Sequence, residues 1–153
     1  MKIIIGADHA GYDLKEAIKK INFREILGGE IEFIDVGTYS AISCDYPIIA
    51  KAVAKLLKRF IPWRRCGRQK NFGILICATG FGMAMVANRY RKIRAVECRD
   101  EKDAVIARER NNANVLCLGS NFADINTAIR IISAFVGTKY YNNQRYNRRL
   151  KEF

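Results

Sequence analysis

The sequence has little of the material from which metal sites and secreted scaffolds are built. It contains one histidine, two prolines and five cysteines among 153 residues. The cysteines are dispersed, and neither a C-x-x-C pair nor a zinc-type Cys/His spacing occurs. An odd, scattered set of this kind indicates reduced thiols in a reducing compartment rather than a disulfide framework. We therefore expect no metal site.

Long apolar runs are also missing. No run approaches the ~20 residues that a membrane-spanning helix needs, and the chain opens on a strand-like run, residues 2–6, rather than a signal peptide. These absences predict a cytoplasmic protein without a membrane partner. A chain of 153 residues can bury about two-thirds of its unfolded surface. Since no linker or internal repeat is visible, residues 1–153 are expected to form one domain.

Acidic residues are scarce relative to basic ones. The 15 Asp and Glu against 27 Lys and Arg leave a formal charge of +12, which favours anionic ligands, either phosphorylated metabolites or nucleic acid. The basic residues concentrate at 58–70 and 145–151. We interpret the first cluster as a solvated loop or an insertion near 60–71. No recognition-helix, RNP-like or zinc-finger pattern accompanies the charge, so a nucleic-acid partner is not expected.

What the sequence does contain is a regular alternation of strand-like and helix-like segments. Helical spacing links Leu14 to Ile21, Ile49 to Leu57 and Ala104 to Ala107, and helices also fit 80–91, 124–136 and about 139–152. The apolar, strand-like runs are 2–6, 31–36, 73–77, 93–97 and 114–118. This alternation predicts an α/β protein: a three-layer α/β/α, Rossmann-like fold with a five-stranded parallel sheet and a C-terminal helix.

Ligands of such sheets bind at the carboxyl ends of the strands. In this sequence the residues that follow the predicted strands are Asp8 and His9, 35–39, 77–82, Arg99 and Asp100, and 119–121. The segment after the first strand lacks the G-x-G-x-x-G spacing of a dinucleotide-binding turn. We expect the candidate site to include Asp8, His9, Cys77 and Thr79.

The segment 73–88 carries the strongest chemical signal. It reads as an apolar strand, a glycine-punctuated turn and a helix, with Cys77 where the strand becomes the turn. The positive end of the following helix favours the thiolate form of a thiol in that position, and the amides from Thr79 to Gly82 could hold an oxyanion or a phosphate. The alternative is a small buried hydrophobe, which is the role we expect for Cys98 and Cys117.

Several segments together resemble one family. They are 6–16 (GADHAGYDLKE), 35–38 (DVGT), 44–47 (CDYP), 73–88, 93–95 (IRA), 110–116 (RNNANVL) and 145–149 (RYNRR). In these motifs the chain resembles the sugar-phosphate isomerases that include the type B ribose-5-phosphate isomerases and the galactose-6-phosphate isomerase subunits. The resemblance covers nearly the whole chain apart from roughly residues 60–71.

The resemblance implies interconversion of ribose 5-phosphate and ribulose 5-phosphate through a cis-enediolate, without metal or cofactor, as in the non-oxidative pentose phosphate pathway. It assigns Cys77 as the base that moves a proton between C2 and C1. It assigns Thr79 and the amides of Ala78, Gly80, Phe81 and Gly82 to the developing charge. A six-carbon sugar phosphate, such as allose or galactose 6-phosphate, stays open as the substrate, because pocket depth is not visible in a sequence.

The resemblance further implies that Asp8 and His9 hold the sugar hydroxyls and ring oxygen. It matches Arg145 and Arg149, which share one helix face, to the arginines that grip the phosphate. The family forms homodimers, some of which pair into tetramers, and its sites combine residues of two subunits. Asn111 is accordingly expected to enter the site of a neighbouring chain.

The sequence departs from the family pattern at four positions. Arg110 stands where most members carry a histidine that protonates the ring oxygen, and a guanidinium is a poor acid. Asn121 stands where another phosphate-contacting arginine is frequent, which suggests that Arg110 compensates for it. Ala78 replaces a glycine, which is tolerable only at negative φ, and Tyr146 replaces a common histidine. None of these changes removes the proposed base.

Overall fold

The computed structural model describes residues 1–61 and 71–152. Its centre is a five-stranded parallel sheet in the order β2-β1-β3-β5-β4. The strands are β1 (Lys2–Ala7), β2 (Glu32–Asp35), β3 (Phe72–Cys77), β4 (Ala95–Glu97) and β5 (Val115–Gly119). All five predicted strands are present, with ends within two residues of those expected. The basic insertion predicted near 60–71 falls largely outside the described residues.

The helices alternate with the strands as the spacing indicated. They are α1 (Tyr12–Lys19), α2 (Phe23–Leu27), α3 (Tyr46–Phe60), α4 (Phe81–Ala87), α5 (Glu101–Asn111), α6 (Ile125–Gly137) and α7 (Gln144–Leu150). The short α2 was not predicted. Within the described ranges, no helix is long and apolar enough to cross a membrane.

The C-terminal helix is shorter than the predicted span of 139–152. It begins at Gln144 because the side chain of Asn143 accepts the Tyr146 N–H at 2.9 Å and thereby caps the first turn. The predicted helix over 80–91 ends early for a different reason. The side-chain amide of Asn88 bonds both the N–H and the C=O of Ala95, each at 2.8 Å, which ties the end of α4 to β4.

Two apolar layers cover the sheet, as expected for a three-layer fold. One face packs against α1, α2, α5 and α6 around Phe72 and Phe135, while the other packs against α3 and α4 around Leu57 and Leu75. Alternate residues of one strand point to opposite faces, so Ile74 and Ile76 belong to the first layer and Leu75 and Cys77 to the second. The cysteine therefore ends its strand on the α3/α4 side.

The strand order reverses direction between β1 and β3, which are neighbours in the sheet but not in the chain. A reversal of this kind separates the two following loops and opens a crevice at the carboxyl ends of the strands. The segments after β1 and β3 start with Asp8 and with Ala78, directly after Cys77. The crevice therefore lies beside the loops after β1 and β3, which the sequence analysis predicted to form the site.

Candidate active site

The turn after β3 brings a backbone amide onto the candidate base. The N–H of Gly80 donates to Sγ of Cys77 at 3.1 Å. The thiol is 6% exposed and lies at the rim of the sheet, whereas Cys98 and Cys117 are 1% and 0% exposed.

Gly80 makes this contact in a conformation that other residues avoid. Its φ is +79°, in the left-handed region, and a Cβ there would lie 2.9 Å from Cγ of Glu97 and 3.2 Å from the carbonyl carbon of Leu118. Glycine is therefore required both by the backbone and by space. Ala78 is not among the described residues with positive φ, so its methyl group is accommodated without that strain.

The turn is also fixed to the loop that follows β5. The N–H of Ser120 donates to the Cys77 carbonyl at 2.8 Å, and the N–H of Asn121 donates to the Ala78 carbonyl at 3.0 Å. A Cβ on Gly119 would lie 2.9 Å from Cα of Thr79, so the two loops touch along their backbones. The cysteine turn is held in place before any ligand arrives.

The loop after β1 presents the other candidate polar groups. Asp8 is 6% exposed, and its Oδ1 accepts the N–H groups of Ala10 and Gly11, which caps a short 3₁₀ turn over His9–Gly11. His9 is exposed on that turn. Its Nδ1 lies 3.3 Å from both the backbone N and O of Cys44, so it accepts the Cys44 N–H or donates to the Cys44 carbonyl according to the tautomer of the ring.

The remaining buried thiols have the environment of structural cysteines. Burial raises the pKa of Cys98 to about 12, with nearby carboxylates adding to the shift, and burial raises the pKa of Cys117 well above its ordinary value. Both stay protonated and apolar at neutral pH, as expected for free cysteines in a core. Within the described residues no group of three His, Cys, Asp or Glu side chains is placed to hold a metal ion.

Four of the expected site residues lie elsewhere in the chain. Arg110 and Asn111 end α5, which starts at the carboxyl end of β4 and returns to the amino end of β5. The N–H of Tyr141 bonds the Glu109 carbonyl at 3.0 Å, and α7 packs on α5, so Arg145 and Arg149 belong to the same region. All four side chains are exposed.

Within one chain the expected site residues therefore form two groups, which lie at opposite ends of the parallel strands. One edge carries Asp8, His9 and residues 77–82, and the other carries the helix ends with Arg110, Asn111, Arg145 and Arg149. The five residues of β5 lie between them and span about 16 Å at ~3.3 Å per residue. A single chain does not bring the two groups together.

Three contacts at the carboxyl edge were not assigned a role from the sequence. Glu97 is half-buried against Gly80, and burial raises the pKa of its carboxyl despite the opposing charge of Arg99. A Cβ on Gly82 would meet the Tyr46 ring at 2.6 Å. Arg99 lies over the rings of Phe81 and Phe122. The only sign of Arg99 in the sequence is its position directly after a predicted strand. Its stacking on two rings that are distant in the sequence leaves no periodic pattern that could have predicted the contact.

Comparison with known proteins identifies the family. The sequence profile of the Ribose/Galactose Isomerase family matches residues 3–153. Ribose-5-phosphate isomerase B of Escherichia coli (strain K12) is 35% identical over 147 residues, covering 96% of this chain and 91% of that protein. The family match spans almost the whole sequence, including both edges of the sheet.

Solved structures give the same result. The type B ribose 5-phosphate isomerase of Trypanosoma brucei is 36% identical with a TM-score of 0.86, covering 99% of this chain and 95% of that one. Ribose-5-phosphate isomerase B of Mycoplasma genitalium, solved with bound ribulose-5-phosphate, is 34% identical with a TM-score of 0.83, covering 99% and 92%.

A parallel α/β sheet with polar loops at its switch point is the arrangement of proteins that bind small molecules in that crevice. Within that class, this chain belongs to the ribose/galactose isomerase family. The expected resemblance, the expected Rossmann-like fold and the expectation of an isomerase that acts on sugar phosphates are confirmed.

Proposed function

We propose that this enzyme interconverts D-ribose 5-phosphate and D-ribulose 5-phosphate through a cis-enediolate, with Cys77 as the base. The observation that carries the proposal is the 3.1 Å hydrogen bond from the Gly80 N–H to Sγ of Cys77, at the carboxyl edge of the sheet. Enolisation requires a base that takes the proton from C2 and returns it to C1. A thiolate held by an amide at a rigid turn meets that requirement.

The charge that develops on the sugar oxygens is stabilised by the same turn. The first N–H groups of α4 have no partner within their own helix, and those of Phe81 and Gly82 follow directly on Gly80. Together with Thr79 and the Ala78 amide they form the oxyanion-binding part of the site. A preorganised donor of this kind is worth roughly 3–4 kcal/mol in the transition state.

Asp8 and His9 hold the sugar from the other side of the crevice. The N–H of Asp8 donates to the Ile76 carbonyl at 3.1 Å, which ties its loop to the strand that ends in Cys77. The buried Asp8 carboxylate accepts hydrogen bonds from sugar hydroxyls, while the exposed His9 contacts the ring oxygen. No metal or cofactor takes part in this proposal.

The phosphate is bound with the help of a second chain. Since Arg145, Arg149, Asn111 and Arg110 lie on the far edge of their own sheet, they can complete a Cys77 site only in a homodimer. Large apolar side chains beside the carboxyl edge support such a contact: Ile42, Ile48 and Met85 are 77%, 64% and 72% exposed in one chain. Arg110 then enters the site as a cation beside Asn111, and ring opening is left to His9 or to solution.

The runner-up is an isomerase of a six-carbon sugar phosphate, which the description of the matching family also covers. The two substrates differ by one carbon with its hydroxyl, a difference that binding alone separates only weakly. Ribose 5-phosphate, allose 6-phosphate and galactose 6-phosphate are therefore assayed on one preparation. If kcat/KM is highest for a hexose phosphate, that sugar is the preferred substrate, and the proposed role of Cys77 as the base is unaffected.

The test of the mechanism compares the native chain with Cys77→Ala and Cys77→Ser. We expect kcat for ribose 5-phosphate to fall by about 10²–10⁴-fold in the alanine variant, because general acid–base catalysis is lost. Cys44→Ser is the control, since the side chain of that half-buried cysteine has no role here. Substrate should also protect Cys77 from iodoacetamide. Undiminished turnover in Cys77→Ala would overturn the proposal.

A further inference from the structure

The carboxyl edge of the sheet has one strong cation in its loops. The segments that join each strand to the next helix there are 8–11, 36–45, 78–80, 98–100 and 120–124, and the structure describes all of them. Among the 27 Lys and Arg of the chain, only Arg99 lies in these segments. Despite a net charge of +12, the loops around the candidate base therefore offer a single guanidinium to an anionic substrate.

Two aromatic rings hold this guanidinium in position. Its central carbon lies 5.3 Å from the ring centre of Phe81 and 4.6 Å from that of Phe122, and the two rings are 6.3 Å apart. Both rings are 45% exposed, and the Arg99 side chain is 54% exposed. A planar guanidinium that is already stacked loses less conformational freedom when it binds an anion than a mobile lysine does.

The hydrogen-bonding capacity of Arg99 is mostly unused. Its Nε lies 3.3 Å from Oε1 of Glu97, and the structure records no bond from its two terminal nitrogens to any described residue. Those nitrogens form the fork that matches a phosphate in a bidentate manner. The Glu97 contact engages only the Nε side of the group.

The stacked arginine adjoins the turn that carries the base. Phe81 follows Gly80, whose N–H bonds Sγ of Cys77, and Phe122 follows Asn121, whose N–H bonds the Ala78 carbonyl. The ring that packs against Arg99 and the N–H that bonds the sulfur thus belong to consecutive residues, Phe81 and Gly80.

We propose that Arg99 binds the phosphate of the substrate from the same chain that supplies Cys77. The inference rests on the proposed isomerase function and adds a residue to it. With Arg145 and Arg149 contributed by a second chain, the phosphate is held between guanidinium groups of both chains. Asn121, on the neighbouring loop, carries no charge, so Arg99 is the same-chain cation for this role.

The competing role for Arg99 is a clamp that only keeps Phe81 and the cysteine turn in place. A clamp affects the reactivity of the thiol and kcat, whereas a phosphate ligand affects KM and the affinity for inorganic phosphate. The experiment therefore measures four quantities for the native enzyme, Arg99→Ala and Arg99→Lys: kcat, KM, the inhibition constant of inorganic phosphate and the rate at which iodoacetamide alkylates Cys77.

In Arg99→Ala we expect KM and the phosphate inhibition constant to rise roughly 10- to 100-fold, as for the loss of a charge-assisted hydrogen bond. The value of kcat should stay within about threefold and the alkylation rate without phosphate should be unchanged. Arg99→Lys keeps the positive charge but loses the two-pronged guanidinium, so its KM and phosphate inhibition constant should lie between those of the native enzyme and Arg99→Ala. The matched control is Lys102→Ala, an exposed cation on the first turn of α5, which should leave all four quantities unchanged.

An unchanged phosphate inhibition constant in Arg99→Ala would overturn the proposal, as would a faster alkylation and lower kcat at constant phosphate affinity. Failure of the proposed function gives a different result, namely a native enzyme without turnover on ribose 5-phosphate. Protection of Cys77 from alkylation by inorganic phosphate, compared between the native chain and Arg99→Ala, still tests the arginine in that case.

Discussion

Single positions at the cysteine turn combine backbone geometry with chemistry. Gly80 adopts positive φ, leaves no room for a Cβ and donates to Sγ of Cys77. The addition of one methyl group at this residue, in Gly80→Ala, therefore tests whether the geometry of the turn matters for turnover. Gly28 provides the matched control, because its φ is +70° but nothing lies within 4 Å of its missing Cβ.

Gly28→Ala should lower the free energy of unfolding by about 1–2 kcal/mol, the usual cost of a left-handed L-residue, and leave turnover unchanged. Gly80→Ala carries the same cost plus the contact with Glu97, so its loss of stability should be larger and kcat should fall as the amide moves off the sulfur. Urea unfolding and the ribose 5-phosphate assay measure the two effects. Equal stability losses at the two positions would contradict the crowding argument.

At the scale of elements, an ion cluster joins α1 to the end of β2. The Lys15 ammonium is fully buried, 2.5 Å from Oδ2 of Asp35 and 2.7 Å from Oε1 of Glu16, and Lys19 contacts the same two carboxylates. Burial alone would raise the pKa of Asp35, but the two lysines outweigh it and hold that pKa below its usual value. The hydrogen bonds from Lys15 and Lys19 likewise lower the pKa of Glu16.

Lys15→Met should lower the free energy of unfolding at pH 7 by about 1–3 kcal/mol, less than the ~3–5 kcal/mol of an isolated buried pair, because Lys19 still faces Asp35. Both carboxyl pKa values are depressed by folding. Their contribution is thus complete above about pH 5, where both carboxyls are ionised in the unfolded chain as well, and it is lost as the pH falls through the folded-state values. The difference between native and variant urea midpoints should accordingly shrink at pH 3.

The exposed pair of Lys2 and Glu32 is the control for the ion cluster. Its side chains are 41% and 60% exposed at 3.3 Å, so Lys2→Met should change stability by at most about 0.5 kcal/mol. A loss in Lys15→Met no larger than this would show that the buried cluster contributes little.

The sequence predicted the elements well where the signal is local. Apolar runs marked β1, β3 and β5 most clearly, since these strands are buried along almost their whole length. The rule for carboxyl ends selected Asp8 and Cys77 together. The start of α7 was misplaced because Asn143, one of several polar residues there, acts as the cap. The stacking of Arg99 on Phe81 and Phe122 joins two loops to the first residue of α4, and no periodic pattern in the sequence predicts such a contact.

For the whole molecule, the separation of the two polar groups makes a test of assembly possible. Under the proposed function, Cys77→Ala and Arg149→Ala should each have low activity as homodimers when the substrate is well below KM, since the first lacks the base and the second binds the phosphate weakly. A mixed dimer has one site that combines the native Cys77 of one chain with the native Arg149 of the other. Equal mixing should therefore restore about a quarter of the native sites, half of the dimers being mixed with one intact site each.

The measurement is the activity of the two variants before and after they are unfolded together in urea and refolded. Mixing Cys77→Ala with Cys77→Ser in the same way is the control and should restore nothing. If the mixture of Cys77→Ala and Arg149→Ala stays inactive while the mixed dimer is present, the two residues do not share a site between chains.

The length of the strands has one further consequence. In a lone protomer β5, about 16 Å long, lies between the loop that carries Cys77 and the helix ends that carry Arg145 and Arg149, so under the proposed function a protomer holds two incomplete parts of the active site. Specific activity should then decline on dilution, once protomers separate, and return on reconcentration. Abundance inside a cell would set not only how many enzyme molecules are present but what fraction of them can work.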